Sequence, residues 1–465
     1  MGLRNKYINL IKNIGVFAIS NFAVKIVTFL VLPLYTYYLT TSEYAVIDLV
    51  NTTAQLVMPF LSLCIVDAVL RFGITNEHKL DTIFTNAFFS ILVGCCTLPI
   101  FLILFKKLID FEGLEKYFII IYLLQVFNSL FSTFYKAINK VKEMAVISMI
   151  NSISIVGLNV LFVAVLKWGI EGYFISVIIG NFIAFLLYVI IGKLYCYLKP
   201  KAWDSSLLKE MLIYSIPLIP NALFWWINSS LDKYALTAMT TLSIVGLYSV
   251  ANKIPTIITT VTSIFSQAWN LSAFQAYNDV EKEEFYNSTY LIFRNLMMIC
   301  TAGVILLSKI FAMLLFSKDF YEGWIFVPIL TLGVFYSSIN SFIGSLFTAS
   351  KKTKYIFYTT GAGSIVNIIF NFVLIKMVGA QGAAIATLIS YLVVWVVRSK
   401  KIQEIVALKI NFKMEIIILI ALLLESALII CNTWLSQTAA VVIVIIICVL
   451  GGKELYLHVK HKREM

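Results

Sequence analysis

The sequence predicts an all-α polytopic membrane protein with about fourteen transmembrane helices. Of its 465 residues, 60% are apolar and only 13% are charged, whereas soluble domains are about half apolar and a quarter charged. At roughly 20 residues per span, the apolar residues suffice for about 14 helices. Little sequence remains for a soluble domain, which excludes many classes of enzyme.

Apolar segments separated by short polar breaks locate the helices. They are predicted near residues 13–38, 45–70, 83–105, 117–135, 144–166, 172–194, 211–231, 244–270, 286–311, 325–349, 355–376, 381–398, 414–431 and 438–457. Of the 36 Lys and Arg residues, 25 fall in segments on the side of the N-terminus and 8 on the opposite side. Because Lys and Arg collect in cytoplasmic loops, both termini are expected in the cytoplasm. The same bias explains the net charge of +12 without a nucleic-acid partner.

Motifs for cofactor chemistry are missing from the sequence. The seven cysteines form no Cys-x-x-Cys pair and the three histidines are not clustered, so we expect neither a metal site nor a cofactor. No phosphate-loop lysine follows Gly361 and Gly363, which are interpreted as a packing pair in an apolar helix. Energy for transport is therefore expected from an ion gradient, the membrane potential or the substrate's own gradient.

Two weak internal similarities indicate that the sequence contains a repeat. At an offset of 201 residues, Thr40, Asn51 and Ser62 correspond to Thr241, Asn252 and Ser263. At an offset of 210, Gly169 and Gly172 correspond to Gly379 and Gly382, each pair before a late helix of its half. Parallel repeats are common in transporters, with the substrate site at their interface.

Three cations lie inside predicted helices, where a charge is costly unless it faces a cavity or a partner. Lys25 shares a helix face with Asn21 near mid-span, and it either lines a cavity or forms a buried Lys–Asp pair. Arg294 lies close to a helix start, so it either lines a cavity or snorkels to the interface. Lys253 adjoins the most regular polar line, which comprises Ser249, Asn252, Thr256, Thr259, Ser263, Gln267 and Asn270. A water-filled interior is the simpler account of that line, and hydrogen bonding between helices is the alternative.

Polar stripes occur on two further helices. The predicted helix 45–70 carries Asp48, Asn51, Thr52, Gln55 and Ser62, followed by Asp67 and Arg71, which are expected to form an i, i+4 ion pair. The helix 211–231 carries Asn221, Trp225, Asn228, Ser229 and Asp232 on one face, after Pro217 and Pro220 at its start. Trp225 and Trp226 either stack on a ligand or pack against neighbouring helices. Glu425 is a lone acid that either serves an accessory groove or pairs with a neighbour.

Short segments spread along the chain resemble a known family. They are Pro33-Leu-Tyr-Thr36, Leu39-Thr-Thr-Ser-Glu-Tyr44, Leu70-Arg-Phe72, Tyr135-Lys-Ala137, Gly246-Leu-Tyr-Ser249, Lys351-Lys-Thr-Lys354 and Gly379-Ala-Gln-Gly-Ala-Ala-Ile-Ala-Thr387. Together they resemble the polysaccharide-exporter branch of the multidrug/oligosaccharidyl-lipid/polysaccharide (MOP) superfamily, and within it the O-antigen (Wzx-type) flippases. The glycine usual after the Glu-Tyr pair is replaced by Ala45.

The resemblance implies a MATE-like fold and a non-enzymatic transport function. Two six-helix bundles, residues 1–200 and 201–410, would surround a central cavity, and residues 411–465 would add two helices and a basic tail. The implied task is to move an undecaprenyl-diphosphate-linked oligosaccharide, an O-antigen repeat unit of lipopolysaccharide or a relative, across the bacterial inner membrane by alternating access. Implied partners are this lipid-linked substrate, membrane lipids, a coupling proton or sodium ion, and a polysaccharide polymerase with its chain-length regulator.

Two other functions stay open at this point. A multidrug antiporter of the same fold would favour acids and aromatic residues in its cavity, and a membrane polysaccharide polymerase would need a large periplasmic loop. The candidate substrate-binding residues are Lys25, Lys253, Arg294, Asn21, Asn51, Gln55, Asn228, Asn252 and Trp225. The candidate ion-coupling residues are Asp48, Asp67 and Asp232.

Overall fold

The fold is α-helical throughout the part of the chain that the computed structural model describes, namely residues 14, 29, 31–75, 78–105, 113–277, 279 and 281–464. Seventeen α-helices, joined by short 3-10 and π segments, make up these residues, and no β-strand occurs among them. The all-α prediction is confirmed.

The chain divides into two compact units. The first, here called the N-unit, comprises Leu30–Trp226. Its helices are α1 (Thr41–Leu61), α2 (Ile65–Thr75), α3 (Leu80–Phe105), α4 (Glu115–Ala137), α5 (Val141–Asn159, continued by a π turn at Val160–Val165), α6 (Gly169–Gly192), α7 (Ser205–Ser215) and the beginning of α8 (Ile219–Met239).

The second unit, here called the C-unit, includes the chain from Ile227 onward. After the remainder of α8 it contains α9 (Leu242–Ala251), α10 (Thr256–Ala276), α11 (Lys282–Leu306), α12 (Ser308–Leu315), α13 (Val327–Ala349), α14 (Lys354–Val378), α15 (Ala380–Ile402), α16 (Phe412–Cys431) and α17 (Trp434–Glu464). The bundle boundaries at residues 200 and 410 stay predictions.

Twelve of the described helices are long and apolar enough to cross a membrane, or up to thirteen spans if α9 and α10 together form one bent span. The predicted span 13–38 lies outside the described residues except for Ile14, Phe29 and a helical stretch at 31–38. The protein is therefore a multi-span membrane protein.

The predicted continuous helix 45–70 is wrong at its centre. α1 ends at Leu61, and Leu63 and Cys64 adopt left-handed φ values of 50° and 51° before α2 begins at Ile65. Pro59 precedes this break, and proline cannot donate the backbone hydrogen bond that continues a helix. The polar stripe predicted on one helix is thus divided between two helices.

Several of the residues related by the two internal similarities occupy equivalent positions at the starts of helices in the two units. Thr40 and Thr241 are the N-caps of α1 and α9, where their hydroxyl groups accept hydrogen bonds from backbone N–H groups. Gly169 and Gly379 both have positive φ values, 56° and 63°, in the turns that lead into α6 and α15. A side chain at Gly172 or Gly382 would crowd a backbone carbonyl of the preceding segment or helix, so both helix entries require glycine.

Candidate functional site

Lys253 lies at a break in a membrane span. α9 ends at Ala251 and α10 begins at Thr256, and the two helices are bent by 44° relative to each other. Asn252 and Lys253 are half-buried in this turn, where Asn252 donates to the carbonyl of Tyr248 over 3.1 Å. Interrupted spans place helix termini at membrane depth, and in transporters such breaks commonly mark binding sites.

The polar line predicted on the following helix is largely exposed. Thr256 is half-buried, and the exposed members are Thr259, Ser263, Gln267 and Asn270. Thr259 donates to the Thr256 carbonyl and Ser263 accepts from Gln267, so these two hydroxyls bond within α10 itself, which argues against interhelical hydrogen bonding at both positions. Polar side chains are unfavourable against lipid tails, and the exposed line therefore favours a face of α10 in contact with water. At 1.5 Å per residue, Thr256 to Asn270 spans roughly 21 Å.

Asn228 is enclosed in the C-unit with its hydrogen-bonding groups occupied. Its amide nitrogen donates to the Ser364 hydroxyl over 2.9 Å and to the Thr360 carbonyl over 3.2 Å. The Ser390 hydroxyl donates to the Asn228 amide oxygen over 2.6 Å. Because these bonds join α8, α14 and α15, the arrangement favours a structural role. The packing role predicted for Gly363 is confirmed, since a side chain there would overlap Val394 of α15.

Asp232 lies one turn beyond Asn228 and is also buried. Its carboxylate accepts a hydrogen bond of 2.6 Å from the Tyr248 hydroxyl of α9 and one of 2.9 Å from the Lys233 backbone. The Tyr248 bond connects the helix before the break with α8. A charge change at Asp232 would therefore act directly on the bent span, and its role in ion coupling stays a prediction.

The remaining N-unit candidates differ in exposure. Asn51 is half-buried and donates to the Tyr173 hydroxyl over 3.1 Å, and Gln55, one turn further, is exposed. Asp48 is buried near the start of α1. Their substrate-binding and ion-coupling roles stay predictions.

The two adjacent tryptophans of α8 have different environments. Trp226 is buried, and its indole N–H donates to the Thr52 carbonyl over 2.8 Å, so this ring packs inside the N-unit. Trp225 is exposed. Of the two rings, Trp225 is thus the one able to stack on a ligand.

The predicted Asp67–Arg71 ion pair is wrong. The Arg71 guanidinium lies over the Tyr214 ring of α7, 4.4 Å from its centroid, and makes no ion pair with Asp67. A guanidinium on an aromatic face keeps its charge near the surface while it packs against a neighbour, which a local ion pair does not provide. Asp67 is exposed on α2, and its ion-coupling role stays a prediction.

Arg294 belongs to a buried ion-pair cluster. Its guanidinium pairs with Glu415 of α16 over 3.3 Å and with Glu454 of α17, and it also donates to Asn295. The Arg294 side chain is 2% exposed, so it does not snorkel to the interface. With two carboxylates already against it, Arg294 offers little uncompensated charge to an anionic substrate.

Arg398, the last residue of the predicted helix 381–398, is a second buried arginine. It donates from Nε to the Thr359 hydroxyl over 2.9 Å, from Nη1 to the Asn340 carbonyl over 2.7 Å and from Nη2 to the Thr360 hydroxyl over 2.8 Å. No carboxylate lies within ion-pair distance of Arg398 among the described residues. Its three bonds join α13, α14 and α15 through neutral groups only.

Several of these residues had no clear signal in the sequence. Glu415, Glu454 and Arg398 stand at predicted helix ends, where charged side chains are ordinary. Their partners are 38 or more residues away, a separation that helical periodicity does not detect. Lys25 and Asn21 lie outside the described residues, and their roles stay predictions.

Comparisons with known proteins agree with this architecture. The family model described as polysaccharide biosynthesis protein matches residues 10–270. No curated protein matches the sequence.

Solved structures of two kinds of transporter share the fold. The structure of the lipid II flippase MurJ in an inward closed conformation has a TM-score of 0.74 at 15% identity and covers 96% of this chain and 99% of its own. An inward-facing multidrug resistance MATE family transporter of the MOP superfamily has a TM-score of 0.70 at 14% identity, covering 83% and 98%. An outward-facing MATE transporter has a TM-score of 0.60 at 14% identity, covering 85% and 96%.

Helix content, apolar spans and fold thus lead to the same group of proteins as the sequence motifs. The match to the family model extends over more than half of the chain, from the first predicted span into α10. The chain belongs to the polysaccharide biosynthesis protein family and has the fold of the MOP superfamily of membrane transporters.

Proposed function

We propose that this protein is a flippase that moves an undecaprenyl-diphosphate-linked oligosaccharide from the cytoplasmic to the periplasmic leaflet of the bacterial inner membrane. The substrate is an O-antigen repeat unit or a related glycan, and both termini lie in the cytoplasm. A polysaccharide polymerase and its chain-length regulator act on the product. Family membership supports the link to polysaccharide synthesis, and the fold shared with a lipid II flippase over 96% of the chain supports lipid-linked transport.

The observation that carries the proposal is the polar face of α10 and the cation at its beginning. Lys253 stands in the turn directly before the N-terminus of α10, and the exposed polar line follows along the same helix. A helix N-terminus carries a partial positive charge. Together with a lysine it favours a phosphate group, and both act more strongly away from bulk water.

The chemistry of α10 matches the two ends of such a substrate. We place the diphosphate at Lys253 and the N-terminus of α10, where charge-assisted hydrogen bonds compensate its desolvation. The sugar hydroxyls lie along Thr259, Ser263, Gln267 and Asn270, whose side chains both donate and accept hydrogen bonds. The lipid tail stays in the bilayer. Alternating access then requires the bent span to change its angle or position.

A multidrug antiporter is the second candidate, because MATE transporters share the fold. A site for organic cations would favour buried carboxylates and would be weakened by a lysine at the break. Asp232 is the buried carboxylate closest to this description, since it is bonded to Tyr248 of the helix that leads into the break. The two candidates therefore assign opposite charges to the functional site.

Lys253→Ala is the direct test. We expect membrane abundance close to that of the native protein and loss of most glycan export, because the substitution removes the cation that receives the diphosphate. Lys253→Arg should retain part of the activity. Abundance and export are measured together, by immunoblotting of membranes and by complementation of a deletion strain in which lipid-linked repeat units accumulate.

The matched control is Lys376→Ala, which removes an exposed lysine from the last turn of α14. It should support normal glycan export. Full export by Lys253→Ala would contradict the assignment of the diphosphate. Normal glycan in the deletion strain, with a new sensitivity to cationic dyes, would instead support the drug-antiporter function.

A further inference from the structure

Glu425 is a carboxyl group enclosed inside the C-unit without a partner. It lies in α16, six residues before the helix ends at Cys431, and its exposure is 0%. Neither carboxylate oxygen has a hydrogen-bond partner among the described residues. Of the two roles left open by the sequence, pairing with a neighbour is therefore excluded in this conformation.

The ionisable groups of the surrounding helices do not compensate Glu425. α16 packs against α11, α13 and α17. Counting only side chains that the structure describes, which in α17 end at Glu454, the titratable residues of these helices and of α16 itself are Tyr286, Tyr290, Arg294 and Cys300 (α11), Tyr336 (α13), Cys448, Lys453 and Glu454 (α17) and Glu415 and Cys431 (α16), besides the charged residues at the start of α11 and Lys413 at the start of α16.

Two cations contact α16 near its two ends, and both are engaged there. Arg294 pairs with Glu415, ten residues or roughly 15 Å before Glu425. Lys309 donates to Asn432, seven residues or roughly 10 Å after it. Among the residues that the structure describes, a carboxylate at Glu425 would have no counter-ion at contact distance.

The cost of burying an uncompensated charge favours the neutral, protonated form of Glu425. Moving an isolated ionised carboxylate from water into an apolar interior is so unfavourable that such a group takes up a proton instead. A carboxylic acid is itself a donor and an acceptor, and it still needs a hydrogen-bond partner in the interior. Glu425 thus requires a nearby polar atom that is not already occupied.

The relative positions of the neighbouring helices identify a polar atom at the height of Glu425. α17 returns along α16 after a two-residue turn, and it runs antiparallel to α11, since Glu454 meets Arg294 while Gly451 lies against Met298. α11 and α16 are therefore parallel.

Thr301 lies eleven residues after Tyr290, which donates to Glu415, and Glu425 lies ten residues after Glu415. These spacings correspond to about three helical turns on each helix, so Thr301 stands at the height of Glu425. Thr301 is fully buried, and its hydroxyl oxygen is also without a partner among the described residues.

We propose that Glu425 is a proton-binding site in the interior of the C-unit, and that the protonated carboxyl turns to donate a hydrogen bond to Thr301, to which it is not bonded in this structure. The bound ligand is a single proton held on the carboxyl group. The proton is retained while α16 is packed as in this structure. It is released when α16 moves far enough to admit water, because only a hydrated carboxyl can ionise there. Raising the pH therefore favours the conformation in which α16 is displaced.

Infrared spectroscopy of the purified full-length protein tests the site directly. A protonated carboxyl has a C=O stretching band that an ionised carboxylate lacks. We expect the native protein at neutral pH to show this band and Glu425→Gln to lose it. Glu283→Gln, which removes an exposed carboxylate at the start of α11, is the control and should retain the band, since it leaves Glu425 unchanged. The Thr301→Val variant should shift the band, because it removes the hydrogen-bond acceptor.

Thermal unfolding between neutral and alkaline pH provides the second readout. The melting temperature of the native protein should fall with rising pH more steeply than that of Glu425→Gln, which cannot ionise. Identical infrared spectra of the native protein and Glu425→Gln would overturn the proposal, as would a carboxylate that is ionised and holds sodium. Parallel melting curves across the pH range would overturn the coupling to α16. Both measurements use protein without substrate, so they are decided independently of the proposed flippase activity.

Discussion

Among the described residues of the C-unit, two arginines are fully buried, and they are stabilised in opposite ways. Arg294 is compensated by the carboxylates of Glu415 and Glu454, whereas Arg398 is surrounded by two hydroxyl groups and one backbone carbonyl. Arg294 joins α11 to the two C-terminal helices, and Arg398 joins α13, α14 and α15. Burial alone thus does not reveal whether a cation is available to an anion.

The difference also determines how well each site tolerates loss of its charge. In the Arg294 cluster, loss of one charge leaves another charge buried and unpaired, which is strongly destabilising. Around Arg398, loss of the cation leaves only neutral groups, and the Thr359 and Thr360 hydroxyls keep their own bonds to backbone carbonyls. The two sites should therefore respond very differently to the same substitution.

The largest effect is expected for Arg294→Met. It leaves Glu415 buried without a cation, and we expect the free energy of unfolding to fall by about 3–5 kcal/mol. Detergent-solubilised protein should melt at a lower temperature and reach lower abundance in the membrane. The double variant Arg294→Met/Glu415→Leu should recover most of this loss, since it removes both charges. Equal instability of the single and double variants would show that Glu415 is not the penalised group.

A smaller effect is expected for Arg398→Met. The three acceptors lose a donor but no opposite charge is exposed, so the loss should be about 1–3 kcal/mol. The melting temperatures of the Arg398→Met and Arg294→Met variants, measured side by side, compare the two losses of stability. Arg398→Lys should recover only part of the loss, because an ammonium group does not reach three acceptors with the geometry of a guanidinium. A loss as large as that of Arg294→Met would reveal an anion bound at Arg398.

The smallest effect is expected for Gly344→Ala. A Cβ atom built on Gly344 would lie 3.2 Å from Nη1 of Arg398, so the guanidinium must shift slightly. This crowding offsets the gain of roughly 0.5–1 kcal/mol that alanine brings within a helix, and we expect a net loss below about 1 kcal/mol. Gly303→Ala is the control, since nothing lies within 4 Å of its Cβ position and it should be stabilising. In the Arg398→Met background, Gly344→Ala should also become stabilising.

Apolar periodicity was sufficient to predict most of the spans that the structure describes, because each helix must present an apolar surface to lipid. It failed at residues 62–64, where two non-glycine residues adopt left-handed conformations that no local motif announces. The break predicted from proline near the start of α8 is present, since Pro217 lies in the 3-10 turn at Ile216–Leu218. Steric effects within a few residues were therefore only partly visible in the sequence.

The polar site was less predictable, because its hydrogen bonds and ion pairs join distant segments. The sequence identified Arg294 as an intramembrane cation, but its partner Glu415 follows 121 residues later. Asn228 was correctly located on a polar face, yet its bonds to Ser364 and Ser390 cross to other helices. A single sequence specifies which face of a helix is polar, but not what that face meets.

The turn between α14 and α15 bears on how this chain enters the membrane. Gly379 alone separates the two helices, and its positive φ value reverses the chain within one residue. With no polar linker to hold one helix at the surface while the next is synthesised, we expect α14 and α15 to leave the translocon as a preformed hairpin. Arg398 can then bind Thr359 and Thr360 within that hairpin. Its charge would be shielded during biogenesis before α13 packs against the hairpin and completes the third bond.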